Sequence, residues 1–384
     1  MDFSYDDSEQ AIGDLALQVL TDGSDPAGLR ELERPSDGSA PGPRFDRALW
    51  ATLADTGILG ACLPEDLPGG GGAALGLVAM GRICEAQGAT AAAVPLWETL
   101  ALGALPLAHL GFGKVRDSWL DRVAAGDAVL TAAWHEDGGE PGVPTARMSE
   151  NGGGVTVTGS KVAVPAGQIA DAAVVPVTGS DGEVALVLVE LNQQGVTRTP
   201  LRTTAASPDA NLDFVGATGD VIAVGADALS WAWQRAVATQ CAVVTGGVAT
   251  AMAITAQYTK DRKQFEQPIA AFQAVAHRAA DAFVDTEGVR LTAAQALWRL
   301  EADMPAAAEV AIAKYWAADA GQRVVHAAMH LHGGMGVDRD YPVHRYFLQM
   351  KEHELQLGGT SRSLVALGKL IAAGFRAAIC DQVE

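Results

Sequence analysis

A guanidinium, a carboxamide and an aromatic ring stand close together between two long apolar segments. The row reads Arg262-Lys-Gln264-Phe265-Glu-Gln-Pro268. Because Pro268 cannot sit inside a helix, the chain must turn between Arg262 and Ala270. Arg is the side chain best shaped to fork onto phosphate oxygens, so this turn could bind a ligand that carries phosphate. A charged helix end with the phenyl ring packed in the core would be an alternative interpretation.

A second row combines histidine with closely spaced glycines. It reads His330-Leu-His-Gly333-Gly334-Met-Gly. The glycines would let the backbone approach a ligand closely, and His330 can donate one hydrogen bond. His326 and His330 are four residues apart, as two metal ligands on a helix would be. No acidic third ligand is placed nearby, so we expect no metal site here.

Together these rows resemble the acyl-CoA dehydrogenase family. The first is similar to the family's Arg-x-Gln-Phe-Gly … Phe-Gln motif, with Glu266 replacing the glycine, and the second resembles Gln-x-x-Gly-Gly-x-Gly. A third piece, Trp50 to Gly72, is similar to the N-terminal Gly-Leu … Pro-Glu-x-x-Gly-Gly pattern. The resemblance spans most of the chain. It implies an α+β fold with an N-terminal helical domain, a small middle β-barrel and a C-terminal antiparallel helix bundle.

In this family a carboxylate removes a proton next to a thioester carbonyl while FAD accepts a hydride. Electrons then pass to an electron-transfer flavoprotein or a similar acceptor. The cofactor lies across a subunit interface, where the neighbouring subunit holds its pyrophosphate and adenine with the two motifs above. The resemblance therefore implies a set of FAD-binding residues that act on a neighbour's cofactor, with His330 in place of the usual Gln: Arg262, Gln264, Phe265, His330, Gly333 and Gly334.

Both positions that carry the catalytic base in the family lack a carboxylate here. Where the family has Glu-Gly-Thr, this chain has Gly358-Gly-Thr, and the alternative position on the first bundle helix falls near Ala236. We therefore expect no catalytic residue in this chain. A positioned base contributes roughly 10²–10⁴ in rate, so the chain alone should be inactive. Glu354, about one helical turn before Gly358, could substitute, although it is more typical of an exposed residue.

The family's flavin-contacting loops are altered as well. Trp134 to Glu140 stands where the family has Thr-Glu-Pro … Gly-Ser-Asp, and Lys161 to Ala166 lacks the Trp and Thr that pack on the flavin ring. Arg362 replaces a polar Gln that helps to hold the adenosine. Residues that would act on a neighbour's cofactor are thus retained, whereas those that would act on the chain's own are lost.

This asymmetry favours a heteromeric enzyme. The chain would be the base-less subunit of an α2β2 assembly with two FAD, and a related partner would carry the Glu and most of the acyl-CoA site. Such families look like those of actinobacterial steroid side-chain degradation. Two alternatives remain open: a homotetrameric flavoenzyme with a substitute base, and a non-enzymatic scaffold of the same fold.

Composition supports a large soluble protein. With 384 residues, 49% of them apolar, the chain is long enough for two or three domains. The net charge of −19 argues against nucleic acid as a partner. No apolar run is flanked like a membrane span, and the acidic N-terminus lacks the basic start of a signal peptide. Four scattered cysteines suggest reduced thiols in a cytoplasmic protein: Cys62, Cys84, Cys241 and Cys380.

The periodicity of apolar residues changes twice along the chain and predicts three domains. Residues 1–126 have helical spacing, 127–228 have short strand-like runs between turn residues, and 229–384 contain five long helical segments. Within the first domain, Ser8 is predicted to cap the first helix, and Gly23 to Pro43 is predicted to be a surface loop.

Overall fold

Helices precede and follow a block of strands, as the sequence predicts. The computed structural model describes residues 3–34, 42–140, 142–151 and 154–375. The N-terminal part comprises α1 Asp7–Gly23, α2 Pro26–Glu33, α3 Arg47–Asp55, α4 Leu77–Thr90, a π-helix Glu98–Ala104, α5 Leu105–Leu110 and α6 Gly113–Ala124.

Two local predictions for this part were wrong. The N-cap of α1 is Asp6, whose carboxylate accepts from the N–H groups of Ser8 and Glu9, while Glu9 bonds back to the Asp6 N–H. The predicted loop contains α2, because Asp25 caps it and Pro26 occupies its first turn. Residues 35–41 of that predicted loop lie outside the described residues.

The strands form a small barrel. They are β1 Leu130–Ala132, β2 Arg147–Asn151, β3 Gly154–Val164, β4 Ala172–Thr178, β5 Val184–Glu190, β6 Val196–Pro200 and β7 Ala210–Val224. The sheet closes because β5 pairs with both β7 and β4, while β2 joins β4 to β3 and β3 pairs with β7. Strands β2 and β6 were not predicted, since their sequences are mostly polar.

Five long helices complete the chain: α7 Ala226–Asp261, α8 Gln273–Glu301, α9 Ala307–His332, α10 Val343–Leu355 and α11 Thr360–Ala372. Helix α7 packs against α4, α8, α9 and α10. It is long and apolar enough to cross a membrane, but 78% of its most apolar stretch is buried inside the protein. Its contact with α4 is close, because a Cβ added at Gly246 would lie 1.9 Å from the Glu85 carbonyl oxygen.

Cys62, Cys84 and Cys241 are buried free thiols, and Cys380 lies outside the described residues. Burial raises the pKa of Cys62 and Cys241 to about 12, so both are held as neutral thiols. The residue boundaries of the three domains stay a prediction.

Candidate functional site

The turn after α7 is a two-residue β-hairpin. Strand β8 (Lys263–Gln264) pairs with β9 (Gln267–Pro268), leaving Phe265 and Glu266 as the turn residues. Their φ angles are 54° and 65°, as a type I′ turn requires. Left-handed backbone costs roughly 1–2 kcal/mol for a residue with a Cβ, which explains why the related motif has Gly at the position of Glu266.

The side chains of this turn point away from the protein. Arg262 and Gln264 are exposed, and Phe265 is 87% exposed. The ring of Phe265 meets that of Phe272 edge-on, with centroids 6.2 Å apart. The alternative interpretation, in which the phenyl ring packs in the core, is therefore wrong.

The glycine row caps α9. The helix ends at His332, and Gly333 has φ 56° and ψ −131°. A Cβ added at Gly333 or Gly334 would meet nothing within 4 Å, so open space lies in front of this backbone. His330 is exposed on the last turn of the helix.

Aromatic packing joins the two rows. The Tyr258 ring, one turn before Arg262, stacks on the His332 ring with centroids 4.3 Å apart. The Tyr258 hydroxyl also donates to the His332 carbonyl oxygen at 3.4 Å, and Tyr341 packs beside both rings. The ends of α7 and α9 therefore lie together. We call the exposed surface there the bundle-end patch: Arg262, Gln264, Phe265, His330, Gly333 and Gly334.

One vacant base position, Gly358, and the neighbour of the other, Val237, lie at a different place. A cavity of about 840 Å³, the inner cavity, is lined by residues of α7, α9, α11, the loop after β1 and the loop before α11. Gly358 lines it, and so does Val237, next to Ala236. The side chains of Gln240 and Gln356 approach within 3.4 Å, which draws α7 towards the Gly358 loop. Within the described residues, the only carboxylate lining this cavity is Glu140.

Both vacant positions, Ala236 and Gly358, make contacts within the chain. The Trp97 indole N–H donates to the Ala236 carbonyl oxygen at 3.2 Å, and Trp97 is fully buried. Gly358 has φ 96°, a backbone conformation that side chains rarely adopt. A Cβ added there would lie 3.6 Å from Cβ and 3.8 Å from Cδ of Arg362, both ordinary van der Waals contacts, so the backbone conformation disfavours a side chain more than the space does.

Two titratable groups lie near these positions, and neither is placed as a base. Glu354 is not exposed as the sequence suggested: its side chain is 16% exposed and pairs with Lys351 at 2.5 Å. It does not line the inner cavity. The buried Lys314 does line it, but Nζ donates to Gln240 Oε1 at 2.7 Å and to the His353 carbonyl oxygen at 2.8 Å. Burial lowers the pKa of Lys314 to about 8.

The loops that would face a flavin are held by internal contacts. Lys161 is fully buried, and its Nζ lies 2.6 Å from Glu136 Oε1. Burial alone would raise the pKa of Glu136, but hydrogen bonds from Lys161, Thr145 and the Ala146 N–H lower it to about 2. This carboxylate therefore stays charged and fixes the two loops against each other.

Two tryptophans and a histidine pack on the side of the inner cavity that faces these loops. Trp134 is buried against Trp233, with centroids 5.3 Å apart, and Trp233 lines the inner cavity. The helical position of Trp233 is typical of core packing, and no local pattern in the sequence indicates a role for Lys314. His135 Nε2 accepts from the Leu357 N–H at 3.1 Å. Burial, with the nearby Arg362, lowers the pKa of His135 to about 4, so the ring is neutral near pH 7.

Of the pair His326 and His330, His326 has a packing role. The His326 ring packs edge-on against Phe347 with centroids 5.0 Å apart. Across the described parts of the chain, no three His, Cys, Asp or Glu side chains are grouped as metal ligands would be.

Comparison with known proteins identifies the fold family. The profile for the acyl-CoA dehydrogenase C-terminal domain matches residues 225–368, and that for the N-terminal domain matches residues 31–127. Acyl-CoA dehydrogenase FadE27 of Mycobacterium tuberculosis is 37% identical over 97% of this chain and 99% of its own length. The chain belongs to the acyl-CoA dehydrogenase family.

Solved structures agree with this assignment. One chain of the ChsE4–ChsE5 complex from Mycobacterium tuberculosis is 36% identical and superposes with a TM-score of 0.90 over 98% of this chain and all of that one. One chain of a Tcur3481–Tcur3483 steroid ACAD variant is 38% identical, with a TM-score of 0.88 over 95% of this chain and 98% of that one. Butyryl-CoA dehydrogenase from Megasphaera elsdenii, at 22% identity and a TM-score of 0.84, shares the fold.

Proposed function

We propose that this chain is the non-catalytic subunit of a heteromeric, FAD-dependent acyl-CoA dehydrogenase. It contributes the bundle-end patch to a cofactor held mainly by a related partner, which carries the Glu base. One observation supports the proposal: within a single chain, the patch that would reach a neighbour is exposed, while neither position for a catalytic base carries a carboxylate.

The bundle-end patch fits part of a dinucleotide. Arg262 offers a planar fork for the pyrophosphate, and the Gly333–Gly334 backbone faces open space where adenine or phosphate could approach. Phe265 offers an exposed ring face, and Gln264 and His330 offer further hydrogen-bonding groups. FAD bound there would supply the hydride acceptor for dehydrogenation, while this chain's residues hold and orient its non-reacting end.

The residues at the inner cavity, unlike those of the bundle-end patch, do not fit a role in holding the flavin ring or in acting as a base. The Glu136–Lys161 pair occupies the loops, and neither a hydroxyl nor an aromatic side chain is present from Lys161 to Ala166. Gly358, where the family's base would stand, has no side chain, and the Arg362 stem lies beside it. No proton abstraction can be assigned to these residues, so the reaction is placed on the partner.

Similarity to relatives supports the assembly that we infer. The ChsE4–ChsE5 relative is a complex, and the Tcur3481–Tcur3483 relative is described as a steroid ACAD. We infer an α2β2 assembly with two FAD, acting on a CoA thioester with a bulky, steroid-like acyl group bound mainly by the partner. An electron-transfer flavoprotein or similar protein would accept the electrons, in the cytoplasm.

The test is native mass and flavin content, for the chain alone and for the chain co-purified with a related subunit encoded nearby. We expect the lone chain to be colourless and the pair to form a tetramer with two FAD. A yellow homotetramer with about one FAD per subunit would instead favour the homotetrameric enzyme. A stable complex without flavin would favour the scaffold.

A further inference from the structure

Arg362 is an exposed arginine among the residues that line the inner cavity. Its guanidinium has no hydrogen bond or ion pair with any part of the chain that the structure describes. Of the other cations of the cavity, Lys314 donates to two buried oxygens, and Lys369 lies 3.8 Å from Glu140 with both side chains largely exposed. An uncommitted guanidinium is a ready donor of two parallel hydrogen bonds.

The walls of the same cavity are largely apolar. They include Leu229, Val237, Val310 and Leu370, together with the indole of Trp233. The volume of about 840 Å³ lies within the range of small-molecule sites, which typically span about 300–1,000 Å³ and combine apolar walls with a few polar groups.

The charge of the cavity is opposite to that of the protein. Arg362, Lys314 and Lys369 line it against the single carboxylate of Glu140, whereas the whole chain carries −19. Anions gain nothing from the overall field of such a protein, so any preference for an anion must come from this local group of cations. The aliphatic stem of Arg362 lies beside Gly358, where the family's carboxylate would stand.

We propose that the inner cavity binds a carboxylic acid with a large apolar body, with its carboxylate on Arg362. A carboxylate forms charge-assisted bonds with a guanidinium, whereas a neutral thioester carbonyl gains less from the same contact. The site would therefore hold a free acid without reacting with it. This inference rests on the proposed function in one respect: the inner cavity holds no flavin.

The test is calorimetric titration of the full-length chain with cholate, a ring-bodied carboxylate, and with its methyl ester, which has the same body without charge. We expect saturable binding of one cholate per chain and at least about tenfold weaker binding of the ester, since a tenfold change corresponds to about 1.4 kcal/mol. Arg362→Gln should weaken cholate binding by about tenfold and abolish the difference between acid and ester.

Arg278→Gln is the matched control, because Arg278 is an exposed arginine on α8 that does not line the cavity. It should leave both affinities unchanged, and thermal unfolding would confirm that both variants are folded. Equal affinity for acid and ester, no effect of Arg362→Gln, or tighter binding of choloyl-CoA than of cholate would each overturn the inference. These titrations do not depend on bound flavin. Cholate binding can therefore fail while the complex still holds two FAD, and cholate can bind even if the complex does not hold two FAD.

Discussion

The bundle-end patch and the inner cavity lie in one helix bundle, yet their side chains have opposite surroundings. In the patch, Phe265 is 87% exposed, and its turn keeps an unfavourable backbone conformation. Around the cavity, Trp97 and the Glu136–Lys161 pair are buried and bonded to their own chain. This contrast matches the proposed assembly, in which the patch would contact a partner's cofactor while the buried groups stabilise the fold of this chain.

Trp97→Ala should have the largest effect, and that effect should be confined to stability. Truncating a buried indole costs about 3–5 kcal/mol, so chemical denaturation of the lone chain should detect a clear loss. At temperatures where the variant stays folded, its complex should still hold two FAD. A loss of flavin without a loss of stability would break the comparison, because it would place Trp97 at the cofactor.

Glu136→Gln should have the next largest effect, since removing one member of a buried ion pair costs roughly 3–5 kcal/mol before any relaxation. The folded pKa of Glu136 is about 2, below the ordinary value of 4.5. Its contribution is therefore fully present above about pH 4.5 and is lost as the pH falls towards 2. The difference in unfolding free energy between wild type and variant should shrink over that range.

Arg262→Ala should release cofactor without unfolding the chain. Hydrogen bonds to charged groups contribute about 1.5–3 kcal/mol, so FAD affinity of the complex should fall by about 10- to 100-fold. Equilibrium dialysis of the complex measures this change. Arg278→Ala provides a control of equal size and charge. Unchanged flavin retention in the Arg262 variant would exclude the patch from the cofactor site.

Glu266→Gly should have the smallest effect and the opposite sign. Relief of the left-handed strain at the turn is worth about 1 kcal/mol after the greater flexibility of Gly in the unfolded chain is considered. The melting temperature of the lone chain should rise slightly, and flavin content of the complex should not change. A lower melting temperature would show that the Glu266 side chain makes a stabilising contact.

The order of elements was predictable because apolar periodicity changes from helical to alternating and back, and the five helical segments predicted after residue 229 correspond to α7–α11. Helix α2 was missed although Asp25 and Pro26 are helix-start signals, because the surrounding Gly, Pro and Ser residues favoured a loop. Strands β2 and β6 lack apolar alternation, so only their pairing with β3, β4 and β7 defines them.

The candidate site was predictable in its residues but not in its contacts. Residue order led to Arg262, Gly333 and the vacant position at Gly358. The stacking of Tyr258 on His332 and the bond from Trp97 to Ala236 join residues 74 and 139 positions apart, which no local pattern reveals. The same limit applies to Lys314, a cation on the buried side of α9 whose partners lie 74 and 39 positions away.

The hairpin turn has a consequence for the kinetics of assembly. The turn at Phe265 and Glu266 is formed within this chain by the pairing of β8 with β9, so under the proposed assembly a partner would meet a turn that is already folded. The entropic penalty for ordering this loop is then met during folding rather than at association. The rate at which the subunits encounter each other, and hence their concentrations, would determine how quickly the proposed complex forms.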